Sequence, residues 1–229
     1  VGVRALFTWR FMPQPESDFE WYRQAGLAAA RRGVMSLFSA NPPVPMWVLS
    51  VWPPLYPVFL GLLYSVHGGI WVAPAVQAAL GGLSCMAVFA AARRYGGNPW
   101  VAAGVTALYP QAVAYSAVHG TETLTLFLMS LVVWISVRAL ESRQEVWYGV
   151  LLGLTTLSRA HALMLLPGAA ISLWERRRPL VLVLVFLVLT LLPWSVNRSL
   201  IYGRPVFMTT FFGHLLYMGN YHENTTGGF

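Results

Sequence analysis

Long apolar runs separated by short polar breaks set the pattern of this chain. Ile70–Ala92 holds 23 residues without a charge. About 20 apolar residues at ~1.5 Å rise each cross the hydrocarbon core of a bilayer, so this run predicts a membrane span. Trp100–Val118 predicts a second span with Pro110 inside it, and Thr121–Val137 a third, with Glu122 near its start. Leu180–Val196 predicts another, carrying Pro193. Pro53–Val66 is too short to cross comfortably. Val146–Leu157 and Ala160–Trp174 are also short, with Ser158 and Arg159 between them. A helix of about 12 residues measures only ~18 Å, so this pair predicts a re-entrant hairpin whose tip stops inside the membrane. A charge at that depth costs at least about 2.5 kcal/mol unless it meets water or a partner. Arg159 therefore asks for a polar cavity, a thinned bilayer or an anionic ligand.

The runs are preceded by a long polar, Pro-rich segment, residues 13–52. Within it Ser17–Arg32 predicts a helix lying on the surface. Ser17 is placed to cap, Asp18 and Glu20 fall in the first turn, and Gly33 ends it. Trp21, Ala25 and Ala28 share one face. Residues 1–12 are mixed and read as the tail of a span. The chain begins at Val1 without a Met and ends in a polar stretch, so it is expected to be a piece of a longer protein. It is read as one all-α domain over 1–229, a polytopic bundle of transmembrane helices with interfacial helices in the 13–52 external loop.

Composition agrees with the pattern. Of 229 residues, 57% are hydrophobic and 10% charged, against about 25% charged in soluble domains, and mean hydropathy is +0.58. A soluble globular enzyme, a disordered tail and a disulfide-stapled module are excluded. The net charge is +7, and every basic residue is Arg. The arginines sit between apolar runs rather than on one soluble face, so a lipid head group or phosphate is the expected partner and nucleic acid is not. Seven of them, Arg93, Arg94, Arg138, Arg143 and Arg176–Arg178, fall at one set of span ends. Clusters in short connections mark the cytoplasmic side, which places the 13–52 segment outside. Arg10, Arg23, Arg31, Arg32, Arg159, Arg198 and Arg204 then face the exterior, where an anionic substrate would account for them. Cys85, the single cysteine, lies in an apolar run and can form no disulfide within the chain.

Four constellations could carry chemistry. Asp18 and Glu20 flank Phe19, beside Trp21, Tyr22 and Arg23; one carboxylate could act as general base, or both could simply favour the start of a helix. Tyr56 stands in Trp52-Pro53-Pro54-Leu55-Tyr56-Pro57, a proline-marked helix start. His119 and Glu122 bracket the mouth of a span, as cavity lining or as a cap. Arg159, Arg198 and Arg204 suit a phosphate through their planar forks, or snorkel to the interface. No phosphate-binding glycine loop, His-Glu-x-x-His or paired-cysteine metal site is present. No metal is therefore assigned, although Asp18, Glu20, His214, His222 and Glu223 share the external side and could bridge one.

Taken in order, these segments resemble the GT-C membrane glycosyltransferases, in particular the bacterial branch related to protein O-mannosyltransferases and lipid A aminoarabinose transferase. The resemblance lies in Asp18–Ala25 (DFEWYRQA), Pro53–Pro57 (PPLYP), Ala92–Gly97 (ARRYGG), Thr121–Leu124 (TETL), Leu152–Arg159 (LGLTTLSR) and Asn197–Val206 (NRSLIYGRPV). It implies a polyprenyl-phosphate-linked sugar as donor and a lipid, glycan or protein acceptor. It also implies a bacterial inner membrane location, with transfer at the periplasmic or external face. Asp18 would be the catalytic base or the residue that orients the acceptor, with Glu20 as its catalytic companion, and Tyr22, Arg23, Arg159, Arg198 and Arg204 would hold the donor phosphate. Tyr56, His119 and Glu122 would line the cavity. Two positions depart from relatives: Phe19 stands where a second acid often follows, and Trp52 where some carry a basic residue. A transporter or lipid flippase built around the same polar cavity is the alternative from another class. An inverted repeat would favour it, and none is evident. A non-catalytic membrane scaffold is the third.

Overall fold

The computed structural model describes residues 1–139, 144–210 and 217, and among these the regular elements are all helical. In chain order they are α1 (Gly2–Phe11), α2 (Ser17–Arg32), α3 (Met46–Val51), α4 (Leu55–Val66), α5 (Val72–Arg94) and α6 (Pro99–Leu108), then α7 (Pro110–Ala114), α8 (Glu122–Ala139), α9 (Glu145–Ser158), α10 (Leu166–Leu173) and α11 (Arg177–Tyr202). Short 3-10 segments follow α2, at Val34–Phe38, and α9, at Ala160–Leu165. Arg143, one of the arginines expected at the cytoplasmic span ends, lies outside the described residues.

Among the described residues two helices, α5 and α11, are long and apolar enough to cross a membrane. The outward row of α11 reads Val181, Leu184, Val185, Val188, Leu192 and Val196, all exposed and all apolar. A surface of this kind suits lipid rather than water.

Pro193 does not break α11, because neighbouring groups in a packed bundle can re-satisfy the backbone a proline frees. Pro110 does break its run. The expected span Trp100–Val118 is instead α6 and α7, divided at Tyr109, which is held out of helical geometry at φ −57°, ψ 113°. A proline disfavours helical geometry in the residue before it, and α6 alone, at ~15 Å, is too short to cross. The expected interruption at Arg159 is present: α9 stops at Ser158, and Arg159 is extended at φ −148°, ψ 124°.

Helix α2 forms where its pattern predicts, with a shifted start. Glu16, not Ser17, occupies the capping position, and no side chain caps it. Arg31 and Arg32 fall in the last turn, favourable for the helix dipole, and Gly33 ends the helix at φ +81°. Its fully buried face is Tyr22, Ala25, Gly26 and Ala29, with Trp21 and Ala28 half-buried. Small residues let α4 approach closely: a Cβ at Gly26 would lie 2.5 Å from Leu60 Cβ, and one at Gly61 2.7 Å from Ala29 Cβ. The same device joins α9 to α11, where a Cβ at Gly149 would collide with the Val183 carbonyl oxygen. Close approach through small residues is how apolar helices gain packing where lipid supplies no hydrophobic drive.

The 34–38 turn is fixed to the far end of the chain. Arg198 donates from Nη2 to the Leu37 carbonyl at 2.6 Å, and Asn197 donates to the Phe38 carbonyl at 2.8 Å. The C-terminal end of α11 therefore lies on the same side as the 13–52 segment. The two ends of this helix, Arg177 and Tyr202, are separated by about 38 Å at the α-helical rise.

Candidate active site

Most of the residues singled out in the sequence converge where α2 crosses the bundle. A cluster of Tyr22, Tyr56, Leu60, Tyr64, Ala73, Leu124 and Leu128 joins α2, α4, α5 and α8. Tyr22 is its centre. Its ring lies 5.2 Å from that of Tyr56 at 87° and 5.3 Å from that of Trp52. The edge-on contact with Tyr56 suits the charge distribution of aromatic rings. Burial pushes the Tyr22 hydroxyl well above its ordinary range, and Asp18, Glu122 and Arg159 all lie near enough to act on it. It stays protonated as a donor. Tyr56 is fully enclosed, beneath the site rather than open to it.

Above this floor lie the charges of α2. Arg23 donates from Nε and Nη2 to the two carboxylate oxygens of Glu20, at 2.7 and 2.6 Å. The pair holds the Glu20 carboxyl below its usual range and raises Arg23. Glu20 is thus an ionised, occupied carboxylate. Asp18 is exposed in the first turn of the same helix and has no hydrogen-bond partner among the described residues.

The second half of the site comes from the connection before α8 and from the break after α9. Arg159 Nη2 donates to Glu122 Oε1, and Nε donates to Thr121 Oγ1 at 2.6 Å. Thr125 and Ser158 share a hydrogen bond of 2.7 Å one turn deeper, which sets the register of α8 against α9. Glu122 and Arg159 are both part-exposed, at 22% and 38% of their side chains, so the pair is reachable from solvent. Glu122 Oε2 is enclosed without a partner among the described residues. A Cβ at Gly120 would collide with that atom and would lie 3.1 Å from the Phe19 ring. Phe19 of α2 thus packs against the glycine that makes room for the carboxylate. A groove of about 170 Å³ runs past Glu122, lined also by Tyr109, Gln111, Tyr115, Thr123 and Leu126.

His119 is fully enclosed, and neither ring nitrogen meets hydrogen-bond geometry although the Ile70 backbone approaches. Burial lowers its pKa to about 4, with the nearby Arg23 charge acting in the same direction. It is a neutral imidazole at physiological pH.

Arg198, expected at the phosphate, is elsewhere. Arg198 is buried in the core, over the Trp194 ring at 4.2 Å and bonded to Leu37, so its guanidinium holds a turn in place. Arg204 is exposed on the turn after α11 and makes no bond to the cluster among the described residues. Among the described residues no three His, Cys, Asp or Glu converge as metal ligands; His214, His222 and Glu223 lie outside them. Tyr64 and Gln77 join the cluster without having stood out in the sequence. For Gln77 a signal existed, a lone long polar side chain inside an apolar run.

Residues 41–196 match the model of the dolichyl-phosphate-mannose-protein mannosyltransferases. The chain belongs to this family. It is a family of membrane glycosyltransferases, and the matched residues include Tyr56, His119, Glu122 and Arg159. Asp18, Glu20, Tyr22 and Arg23 precede the match, and Arg198 and Arg204 follow it. No curated protein and no solved structure matches the chain.

Proposed function

We propose that the protein transfers a sugar, in the first instance mannose, from a polyprenyl-phosphate carrier to an acceptor hydroxyl or amine at the external face of the membrane. The observation that carries this reading is the assembly of a free carboxylate, Asp18, with the part-exposed Glu122–Arg159 pair around one aromatic floor.

Asp18 accepts the acceptor's proton as its oxygen or nitrogen attacks the anomeric carbon. The carbon–oxygen bond to the carrier phosphate breaks, and the phosphate leaves with the electron pair. Arg159 has one guanidinium edge, Nη1, without a bond among the described residues, and it offers that edge to the phosphate. Glu122 and Thr121 hold the rest of the guanidinium in place. Glu20 keeps Arg23 oriented beside the same site. The arginine clusters at the opposite span ends support an external location for residues 13–52.

The test is Asp18→Asn in the intact protein, assayed in membranes with radiolabelled polyprenyl-phosphate mannose. Transfer is expected to fall by at least about a hundredfold, the usual contribution of a general base, with membrane insertion unchanged. Full activity in that variant overturns the reading.

A further inference from the structure

Helix α5 carries one long polar side chain ahead of its terminal arginines, Gln77. A buried amide costs free energy unless its donors and acceptor are paired. Gln77 is fully enclosed, and its bonds run in two directions. Its Oε1 accepts from the Tyr56 hydroxyl at 2.7 Å. Its Nε2 donates to the Ser116 carbonyl at 3.2 Å and to the Val118 carbonyl at 2.7 Å.

Each direction leads to one half of the site. Tyr56 packs edge-on against Tyr22, on the helix that bears Asp18, Glu20 and Arg23. Val118 directly precedes His119 and lies four residues before Glu122. The connection between α7 and α8 has no regular helix to fix it, so its position depends on bonds such as these. Arg4 of α1 reaches the same stretch, donating from Nη1 to Ser116 Oγ at 2.9 Å, and ties it to α6 by donating from Nη2 to the Thr106 carbonyl, also at 2.9 Å. Arg4 passes α5 at Gly81, where a Cβ would lie 2.6 Å from Arg4 Cδ.

We propose that Gln77 is a positioning residue of the transfer site: through Tyr56 and the Ser116 and Val118 carbonyls it sets the helix bearing Asp18 against the Glu122–Arg159 pair. It does not touch substrate. The inference rests on the reading of that cluster as the transfer site.

The test compares Gln77→Met, which keeps the length and loses every bond, with Tyr56→Phe, which loses one direction only. Two readouts are taken on the intact protein in membranes. The first is kcat and KM for polyprenyl-phosphate mannose. The second is modification of His119 by diethyl pyrocarbonate, mapped by mass spectrometry against the exposed His67. Gln77→Met is expected to lower kcat at least tenfold, to change KM less than threefold and to make His119 reactive. Tyr56→Phe is expected to lower kcat less and to leave His119 protected. Where Gln77→Met does not insert, Gln77→Glu, which has the same shape and at most one proton to donate, is read for His119 in the same way. Wild-type kcat overturns the proposal, whatever the state of His119. So does a loss of rate that tracks thermal stability while His119 stays protected. If His119 becomes reactive in Gln77→Met but the wild type transfers no sugar from any such carrier, the brace is upheld and the reading of the reaction falls.

Discussion

Glu122 and Arg159 are 37 residues apart in sequence, yet Arg159 Nη2 donates to Glu122 Oε1 because α8 begins where α9 ends. Antiparallel neighbours place the first residue of one beside the last of the next. The break at Arg159 then turns its side chain across the gap instead of along the helix.

This two-point grip on the guanidinium predicts the outcome of Arg159→Lys. The charge is kept, but a lysine cannot bond Thr121 and Glu122 while offering a planar edge to phosphate. KM for the polyprenyl-phosphate donor is expected to rise about tenfold, equivalent to ~1.4 kcal/mol of binding. Initial rates across donor concentration check this; an unchanged KM would remove Arg159 from the donor site.

Arg198 predicts the opposite profile. Truncation to Ala strands the Leu37 carbonyl and opens space beside Trp194, with a cost of about 1–3 kcal/mol. The unfolding midpoint in detergent is expected to drop while the donor KM stays at the wild-type value. A donor KM raised as much as in Arg159→Lys would restore Arg198 as a phosphate ligand.

Gly149→Ala tests the packing of α9 on α11. The new Cβ runs into the Val183 backbone carbonyl, which cannot rotate away as a side chain would. A loss of about 1–3 kcal/mol is expected, the usual range for overpacking, read as a lower unfolding midpoint. An unchanged midpoint would mean the two helices separate at little cost.

His119 predicts an acid-sensitive fold. Its folded pKa of about 4 lies below the ordinary 6.5, so between those values the unfolded chain binds a proton that the folded chain refuses. Stability is full above pH 6.5 and falls as pH drops towards 4. The His119→Asn variant is expected to lose less stability over that window than the wild type, measured as unfolding midpoint against pH. Equal slopes would show that other groups dominate it.

Much of the fold is legible in the sequence because apolar runs and proline positions are local signals. The start of α4, the end of α2 at Gly33 and the break at Arg159 all follow from the residues on the spot. Pro110 is visible too, but whether a proline kinks, breaks or passes through a helix depends on neighbours, as the intact α11 at Pro193 shows. The site is half legible. Asp18, Glu20, Tyr22, Arg23, Tyr56, His119, Glu122 and Arg159 stand out by type and are brought together. Arg198 stands out in the same way and goes to the core, because sequence gives an arginine's charge but not which carbonyl it will meet. Gln77 is visible as a lone polar side chain in an apolar run, but its role is not, because most of its partners are backbone groups.

The bond from Arg198 to Leu37 spans 161 residues. A ribosome makes the 34–38 turn long before it makes the residue that anchors it. The segment bearing Asp18 must therefore wait, unanchored at that end, until α11 has been synthesised and packed. A chain halted before α11 already carries Asp18 and Glu20 and lacks the latch that holds the turn after their helix.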